Sequence, residues 1–303
     1  MVTHEDLARL RGWLQAAVPH LALEHLEYLG EGWDNRVFLA NGELIVRFAK
    51  DAESAQRLLI GGDLLQFLET SMPLRTPAVE AVADLSGVAD GALMVYRLIP
   101  GGPLEDIEVS DDVVAALAQP LAGFLDALHS VPAELIGSIA IPRFTPQKWV
   151  ERERALYQQT RAAVREALDD AMFERYEGWR RGYLADRAST AFEPCLVHGD
   201  LVPEHILINS NPWRISGVID FGDAMWTDPV LDLAGMPEQM ARSVASEMRT
   251  LSADDAVWQR RDAYRRIGPL HSIAAGQNGG SPELFRRGIE AIRNDLSTTN
   301  ERR

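Results

Sequence analysis

The hydrophobic period of this chain changes at Pro100-Gly101-Gly102-Pro103, and no other feature constrains the fold as strongly. Before that break the apolar residues fall in short runs of strand length: Leu26 and Tyr28, Val37 to Leu39, Leu44 to Phe48, Val79 to Asp84, and Ala92 to Ile99. Beyond it, apolar positions recur mostly at the three-and-four spacing of buried helix faces. Two prolines and two glycines in a row continue neither pattern, because proline lacks the amide hydrogen and glycine adds backbone freedom. The sequence therefore predicts an α+β chain, with a small antiparallel-sheet lobe over residues 1–99 and a larger helical lobe over 100–303.

Within the first lobe, Leu7, Leu10, Leu14 and Val18 share one face of a helix over 3–18 that Thr3 is placed to cap. Three strands follow as an antiparallel meander, the first connection holding Gly30 and Gly32 and the second Asn41-Gly42, a favoured hairpin pair. Residues 52–69 read as a helix that Gly61 and Gly62 interrupt, each costing about 1 kcal/mol relative to alanine. In the second lobe helices are expected over 111–130, 146–187, 228–249 and 253–275, with a terminal helix after Gly276-Gln277-Asn278-Gly279-Gly280. Short β-runs at 195–197, 206–208 and 215–219 break the series. Those at 195–197 and 215–219 end in polar residues, at 198–200 and 220–223.

The formal charge of −15, from 30 basic and 45 acidic residues, excludes neither catalysis nor small ligands but opposes binding to nucleic acid or to anionic membranes. It suits a cationic small molecule, although a solvated acidic surface needs no ligand at all. A single cysteine, Cys195, rules out an internal disulfide and a cysteine zinc cage, which points to a cytoplasmic setting. No leader pattern is seen at the N-terminus, and no apolar run reaches the roughly 18 residues of a spanning helix.

The residues with the most chemistry are His198-Gly199-Asp200-Leu201-Val202-Pro203-Glu204-His205, followed by Asp220-Phe221-Gly222. Either aspartate alone could be a turn former. Together, each after a β-run, they resemble the catalytic and metal loops of the aminoglycoside phosphotransferase and choline kinase superfamily, relatives of protein kinases. The resemblance runs over roughly 26–240 and implies a two-lobed kinase-like fold.

It also implies Mg²⁺ and ATP or GTP as phosphoryl donor. Phosphoryl transfer develops dispersed negative charge, so such an enzyme mainly positions reactants and neutralises charge. By resemblance Asp200 orients the acceptor hydroxyl and takes its proton, and Asp220 holds the metal. His205 stands where most relatives have a metal-binding asparagine, as it does in macrolide phosphotransferases. His198 and Asp228 are expected to support the catalytic loop structurally.

For the nucleotide, the resemblance picks out Gly30, Gly32 and Asn35 in the covering loop, Arg47 in the third strand at a position usually held by lysine, and backbone groups around Tyr96 and Leu98 in the lobe connection. Lys50 is the alternative to Arg47. The glutamate that normally pairs with the strand lysine aligns with Gly61, unless Glu53 or Asp63 replaces it from a shifted register. The acceptor pocket falls in 146–187, where Trp149, Glu153, Glu174, Tyr176 and Trp179 also read as core and solvated faces.

Three functions stay open at this level: phosphorylation of an antibiotic hydroxyl, phosphorylation of choline, an amino acid or a sugar, and nucleotide binding without transfer. Within the first, His205 is similar to macrolide enzymes. Arg47-Phe48-Ala49, Arg75-Thr76-Pro77 and Pro103-Leu104-Glu105-Asp106 resemble viomycin enzymes, and Gly30 to Asn35 resembles aminoglycoside enzymes. The choice of ATP or GTP and the oligomeric state are not encoded in any of these residues.

Overall fold

A computed structural model describes residues 4–86, 91–186, 190–210, 212–251, 254–277 and 282–298. Helix α1 (His4–Ala17) is followed by β1 (Leu26–Glu31), β2 (Asn35–Ala40) and β3 (Leu44–Ala49), then α2 (Ala52–Leu68), β4 (Val79–Asp84) and β5 (Ala92–Arg97). The strands form one antiparallel sheet in the order β1-β2-β3-β5-β4. The hairpin pair is used as its chemistry predicts: Asn41 and Gly42 both take positive φ, 52° and 74°. Asn41 also ties down the incoming chain, its Oδ1 accepting the Glu24 and His25 amides at 2.9 and 3.0 Å. The expected cap at Thr3 lies outside the described residues.

The two faces of the sheet are buried differently. Leu10, Leu14 and Val18 cover Phe38, Val46, Phe48 and Leu93 on one side. On the other, α2 sets Leu58, Leu65 and Leu68 against Ile45 and Met94, in a core continuous with Leu104, Leu117 and Phe221 of the helical lobe. Gly61 and Gly62 do not interrupt α2. They let it approach its neighbours: a Cβ on Gly62 would lie 2.6 Å from Val82 Cγ2, and one on Gly61 would lie 3.5 Å from the Phe221 carbonyl. The helix that flanks the sheet thus also touches the Asp220 loop.

In the second lobe β6 (Gly102–Pro103) pairs with β8 (Ile206–Ser210), which pairs with β9 (Trp213–Val218), while β7 (Cys195–Val197) pairs with β10 (Met225–Thr227). Gly101 has φ 129°, and a Cβ there would lie 2.6 Å from the Ile208 carbonyl, so the chain can cross this point only as glycine. The helices are α3 (Asp111–His129), α4 (Pro146–Ala167), α5 (Asp170–Ala185), α6 (Leu231–Ala234), α7 (Glu238–Glu247), α8 (Val257–Gln277) and α9 (Pro282–Thr298).

Two expected helices are each divided. The segment 146–187 breaks at Leu168, whose extended backbone lets the Asp169 carboxylate cap α5 by accepting the Met172 amide at 2.7 Å. The segment 228–249 breaks at Pro237, which starts α7 because it has no amide to continue α6. A second core joins Tyr157, Val164, Phe173 and Tyr176 to Ile267, Ile273 and Ile292. Among the described residues no helix is long and apolar enough to cross a membrane.

Candidate active site

Strand β7 delivers the chain to Asp200 through a turn that only glycine permits. Gly199 has φ 85°, and a Cβ on it would lie 2.1 Å from the Asp223 carbonyl, so the Asp200 and Asp220 loops touch backbone to backbone. The turn is held from below by Asp232, which is fully buried on α6. Its carboxylate accepts the His198 amide at 3.1 Å, the Gly199 amide at 2.9 Å and His129 Nε2 at 2.9 Å. Negative charge at those amides fixes the loop while leaving the Asp200 side chain 49% exposed.

His198 couples the two loops. Its Nε2–H donates to the Ile219 carbonyl at 2.9 Å, and its Nδ1 accepts the Asp200 amide at 3.4 Å, an arrangement that calls for neutral imidazole. Burial pushes its pKa down, which favours the same state. Its ring also lies 4.6 Å from that of Phe221.

Strand β9 ends at Val218, and Asp220 then adopts a left-handed backbone with φ 68° and ψ 67°, uncommon for a residue with a side chain. The conformation turns its carboxylate onto Arg47 of β3. Nη1 donates to Oδ1 at 2.9 Å and Nη2 to Oδ2 at 3.0 Å, a two-pronged pair with the two side chains 12% and 32% exposed. Burial opposes ionisation of Asp220, but Arg47 outweighs it and holds the carboxyl below its ordinary value.

His205 sits between the two aspartates. Its Nδ1–H donates to the Asp200 carbonyl at 2.8 Å, which fixes the proton there and leaves Nε2 3.6 Å from Asp220 Oδ2 and 3.3 Å from Glu204 Oε1. Nδ1 also lies 3.8 Å from Asp200 Oδ2, so one imidazole is within 4 Å of both carboxylates.

Above these loops lies the turn between β1 and β2. The Gly32 amide donates to the Asn35 carbonyl at 3.0 Å, and Lys50 Nζ donates to the Gly32 carbonyl at 2.7 Å. Gly30 falls where the β1–β2 register shifts, and Asn35 is buried with Oδ1 lacking a protein partner. Tyr96 lies inside the sheet, paired with Ile45 and Val79. Leu98 departs from expectation in one respect: its amide already donates to the Glu43 carbonyl at 2.9 Å, so that group faces the sheet rather than a nucleobase.

The sequence profile of the phosphotransferase enzyme family matches residues 25–270. The chain belongs to that family. It is 28% identical over 256 residues to the viomycin phosphotransferase of Streptomyces vinaceus, covering 82% of this chain and 86% of that one. The fold is similar to that of the wild-type aminoglycoside 2'-phosphotransferase-IIIa in its GDP complex, with TM-score 0.85 and 23% identity over 96% of this chain and 99% of the other. A macrolide 2'-phosphotransferase from Brachybacterium faecium is similar with TM-score 0.72 and 22% identity, covering 93% and 97%.

In this phosphotransferase the residues fit a magnesium ion by donor chemistry. Mg²⁺ takes oxygen ligands, usually one or two carboxylates completed by water and phosphate. Asp220 offers a carboxylate, and no cluster of three or more protein ligands is found among the described residues. His205 Nε2 borders that position. Asp220 can use both oxygens for a metal only if Arg47 lets go of them.

One role differs from the sequence reading, and one expected absence stands. Asp228 does not brace the catalytic loop. It is buried against Arg260 Nε at 2.6 Å and the Tyr264 hydroxyl at 2.6 Å, and so fastens α8 to the start of α6; Asp232, four residues on, holds the loop. Neither Glu53 nor Asp63 replaces the missing helix glutamate, since Glu53 pairs with Arg57 and Asp63 points to solvent.

Two further residues were not singled out from sequence. Burial, then the charges of Asp200, Asp34 and Asp220, push the Asp223 carboxyl up to about 6. Arg152 of α4 lies over Trp149 and Phe144, at 4.8 and 5.4 Å, and is close enough to Asp223 to sense its charge. The Asp-x-x-Asp spacing of 220 and 223 was the available clue to the first. The second had none, since any arginine on α4 reads as a solvated position.

Proposed function

We propose that this phosphotransferase moves the terminal phosphoryl group of ATP or GTP, with Mg²⁺, onto a hydroxyl of a small-molecule antibiotic of the aminoglycoside, macrolide or tuberactinomycin class. The observation that carries the reading is the placement of His205 within 4 Å of both the Asp200 and Asp220 carboxylates, which puts an exposed acid and a metal-competent acid on one cleft. The similarity to viomycin phosphotransferase over most of both chains supports the acceptor class.

In this reading Asp200 accepts a hydrogen bond from the acceptor hydroxyl, orients its oxygen toward the terminal phosphorus and takes the proton as the new P–O bond forms. The bond from that phosphorus to the bridging oxygen breaks, and the nucleoside diphosphate leaves. When bound, Mg²⁺ would be held by Asp220 with His205 beside it and would neutralise charge on the phosphates. Arg47, freed from Asp220, binds a phosphate oxygen through the same two-pronged geometry. His198 and Asp232 keep the two loops in register, and the acidic surface draws a cationic acceptor.

The test is to incubate the purified protein with Mg²⁺ and ATP or GTP and a panel of aminoglycosides, macrolides and tuberactinomycin peptides, following phosphate gain by mass spectrometry. Transfer to one class, lost in Asp200→Ala with the fold intact, is the expected result. No transfer to any member overturns the reading.

A further inference from the structure

Helix α2 lacks the carboxylate expected at Gly61, yet one turn earlier it carries a cation that is fully engaged. Arg57 donates from Nε to Asp34 Oδ2 at 3.1 Å and from Nη2 to Asp34 Oδ1 at 2.6 Å, gripping the turn between β1 and β2. Its Nη1 donates to Glu53 Oε1 at 2.6 Å, which aligns the guanidinium on its own helix. Ser54 Oγ lies 3.4 Å from Asp34 Oδ1, and from the other side Lys50 donates its amide to the Asp34 carbonyl at 2.9 Å. The Arg57 and Asp34 side chains are 30% and 19% exposed, so solvent screens the pair less than a surface bridge.

Position gives this pair a consequence for the reaction. Asp34, Asn35, Arg47, Arg57 and Gly61 line one small cavity that ends at Phe221 and Gly222. The Asp34 charge is felt at both Arg47 and Asp223. A carboxylate at the tip of a phosphate-covering turn would repel the phosphates unless its charge is compensated. A turn with two glycines also loses much backbone entropy on closing unless it is tied in advance. Arg57 meets both needs.

We propose that Arg57 is a positioning residue for nucleotide binding. Through Asp34 it holds the 30–35 turn in place and cancels its charge, replacing with reversed polarity the helix-to-sheet ion pair that Gly61 removes. The proposal rests on the reading of 30–35 as the nucleotide-covering turn.

The experiment measures binding of Mg·ADP and Mg·GDP by calorimetry, without acceptor, to the wild type, R57Q, R57K, D34N and D34N/R57Q, each checked for folding by thermal melting. R57Q is expected to weaken the nucleotide that the wild type binds by about tenfold, ~1.4 kcal/mol. Adding D34N to R57Q removes the uncompensated carboxylate and should return the affinity to within about threefold of wild type, a coupling that a merely structural arginine would not produce. Should R57Q fail to fold, R57K against a further D34N/R57K variant, measured in the same way, carries the same comparison at smaller amplitude. R57Q binding as tightly as wild type, or the double variant binding more weakly than R57Q, overturns the proposal and leaves the phosphotransferase reading standing. A wild type that binds neither nucleotide overturns both.

Discussion

Arg47 holds both carboxylate oxygens of Asp220 at 2.9 and 3.0 Å across the join between the sheet lobe and the Asp220 loop. A lysine in its place would offer a point charge rather than a fork and could not hold both oxygens in this way. The Arg47→Met variant should lose about 2 kcal/mol at pH 7, below the roughly 3–5 kcal/mol for breaking a fully buried pair because Asp220 keeps partial solvent contact. The sign with pH follows from the lowered Asp220 carboxyl. The contribution is complete above the unfolded-state value of about 3.9 and is lost as pH falls below it, so wild type and variant should converge in acid. Urea titrations at pH 7 and pH 3 measure both.

Gly199→Ala tests the backbone contact between the two loops. The added Cβ has backbone, not a flexible side chain, 2.1 Å away, and the residue already sits at φ 85°. Loss of transfer is expected together with destabilisation of about 3 kcal/mol. Thermal unfolding and turnover of the purified variant check it, and a stable, active Gly199→Ala would mean that the loops are not in register as described.

Asp232→Asn separates the residue that holds the catalytic loop from the one that the sequence favoured. The variant keeps one acceptor oxygen but turns an amide donor toward one of the two backbone amides that now have an acceptor, at a cost of about 2 kcal/mol. Because Asp200 follows directly, kcat should fall more than tenfold, about 1.4 kcal/mol of barrier, while nucleotide affinity changes little. Steady-state kinetics with varied nucleotide distinguishes this from a general loss of fold.

Glu153 supplies the clearest dependence on pH. It is 3% exposed on α4, accepts the Tyr183 hydroxyl at 3.0 Å, and burial pushes its carboxyl up to about 7. Below pH 4.5 it is protonated in both states. Between there and pH 7 only the unfolded chain gives up the proton, so stability declines by on the order of 3 kcal/mol across that window. Glu153→Gln, neutral throughout and still able to accept from Tyr183, should abolish the decline and be the more stable protein at pH 8. Denaturation curves from pH 4 to 8 decide it.

What could be read from the chain was whatever local chemistry fixes. The meander, its Asn41-Gly42 turn and the apolar stripe on α1 follow from periods and turn residues. The Asp200 and Asp220 loops were legible because an unusual set of polar residues directly follows short β-runs. The two divided helices were not, since Leu168 is apolar enough to continue a helix and only the capping of α5 by Asp169 reveals the break. Gly61 and Gly62 looked like defects, whereas contact with Phe221 and Val82 makes them points of close approach.

By itself the sequence determined the strands, most of the helices and their order along the chain, because these depend on residues near one another in the sequence. Tertiary structure alone decided the pairings. That Arg47 meets Asp220 over a separation of 173 residues, that Asp232 rather than Asp228 holds the catalytic turn, and that Arg57 takes Asp34 are facts of distance in space. A buried charge must find a partner somewhere, and composition fixes only that need; the packing of α2 and α6 against the two loops chose which partner it would be.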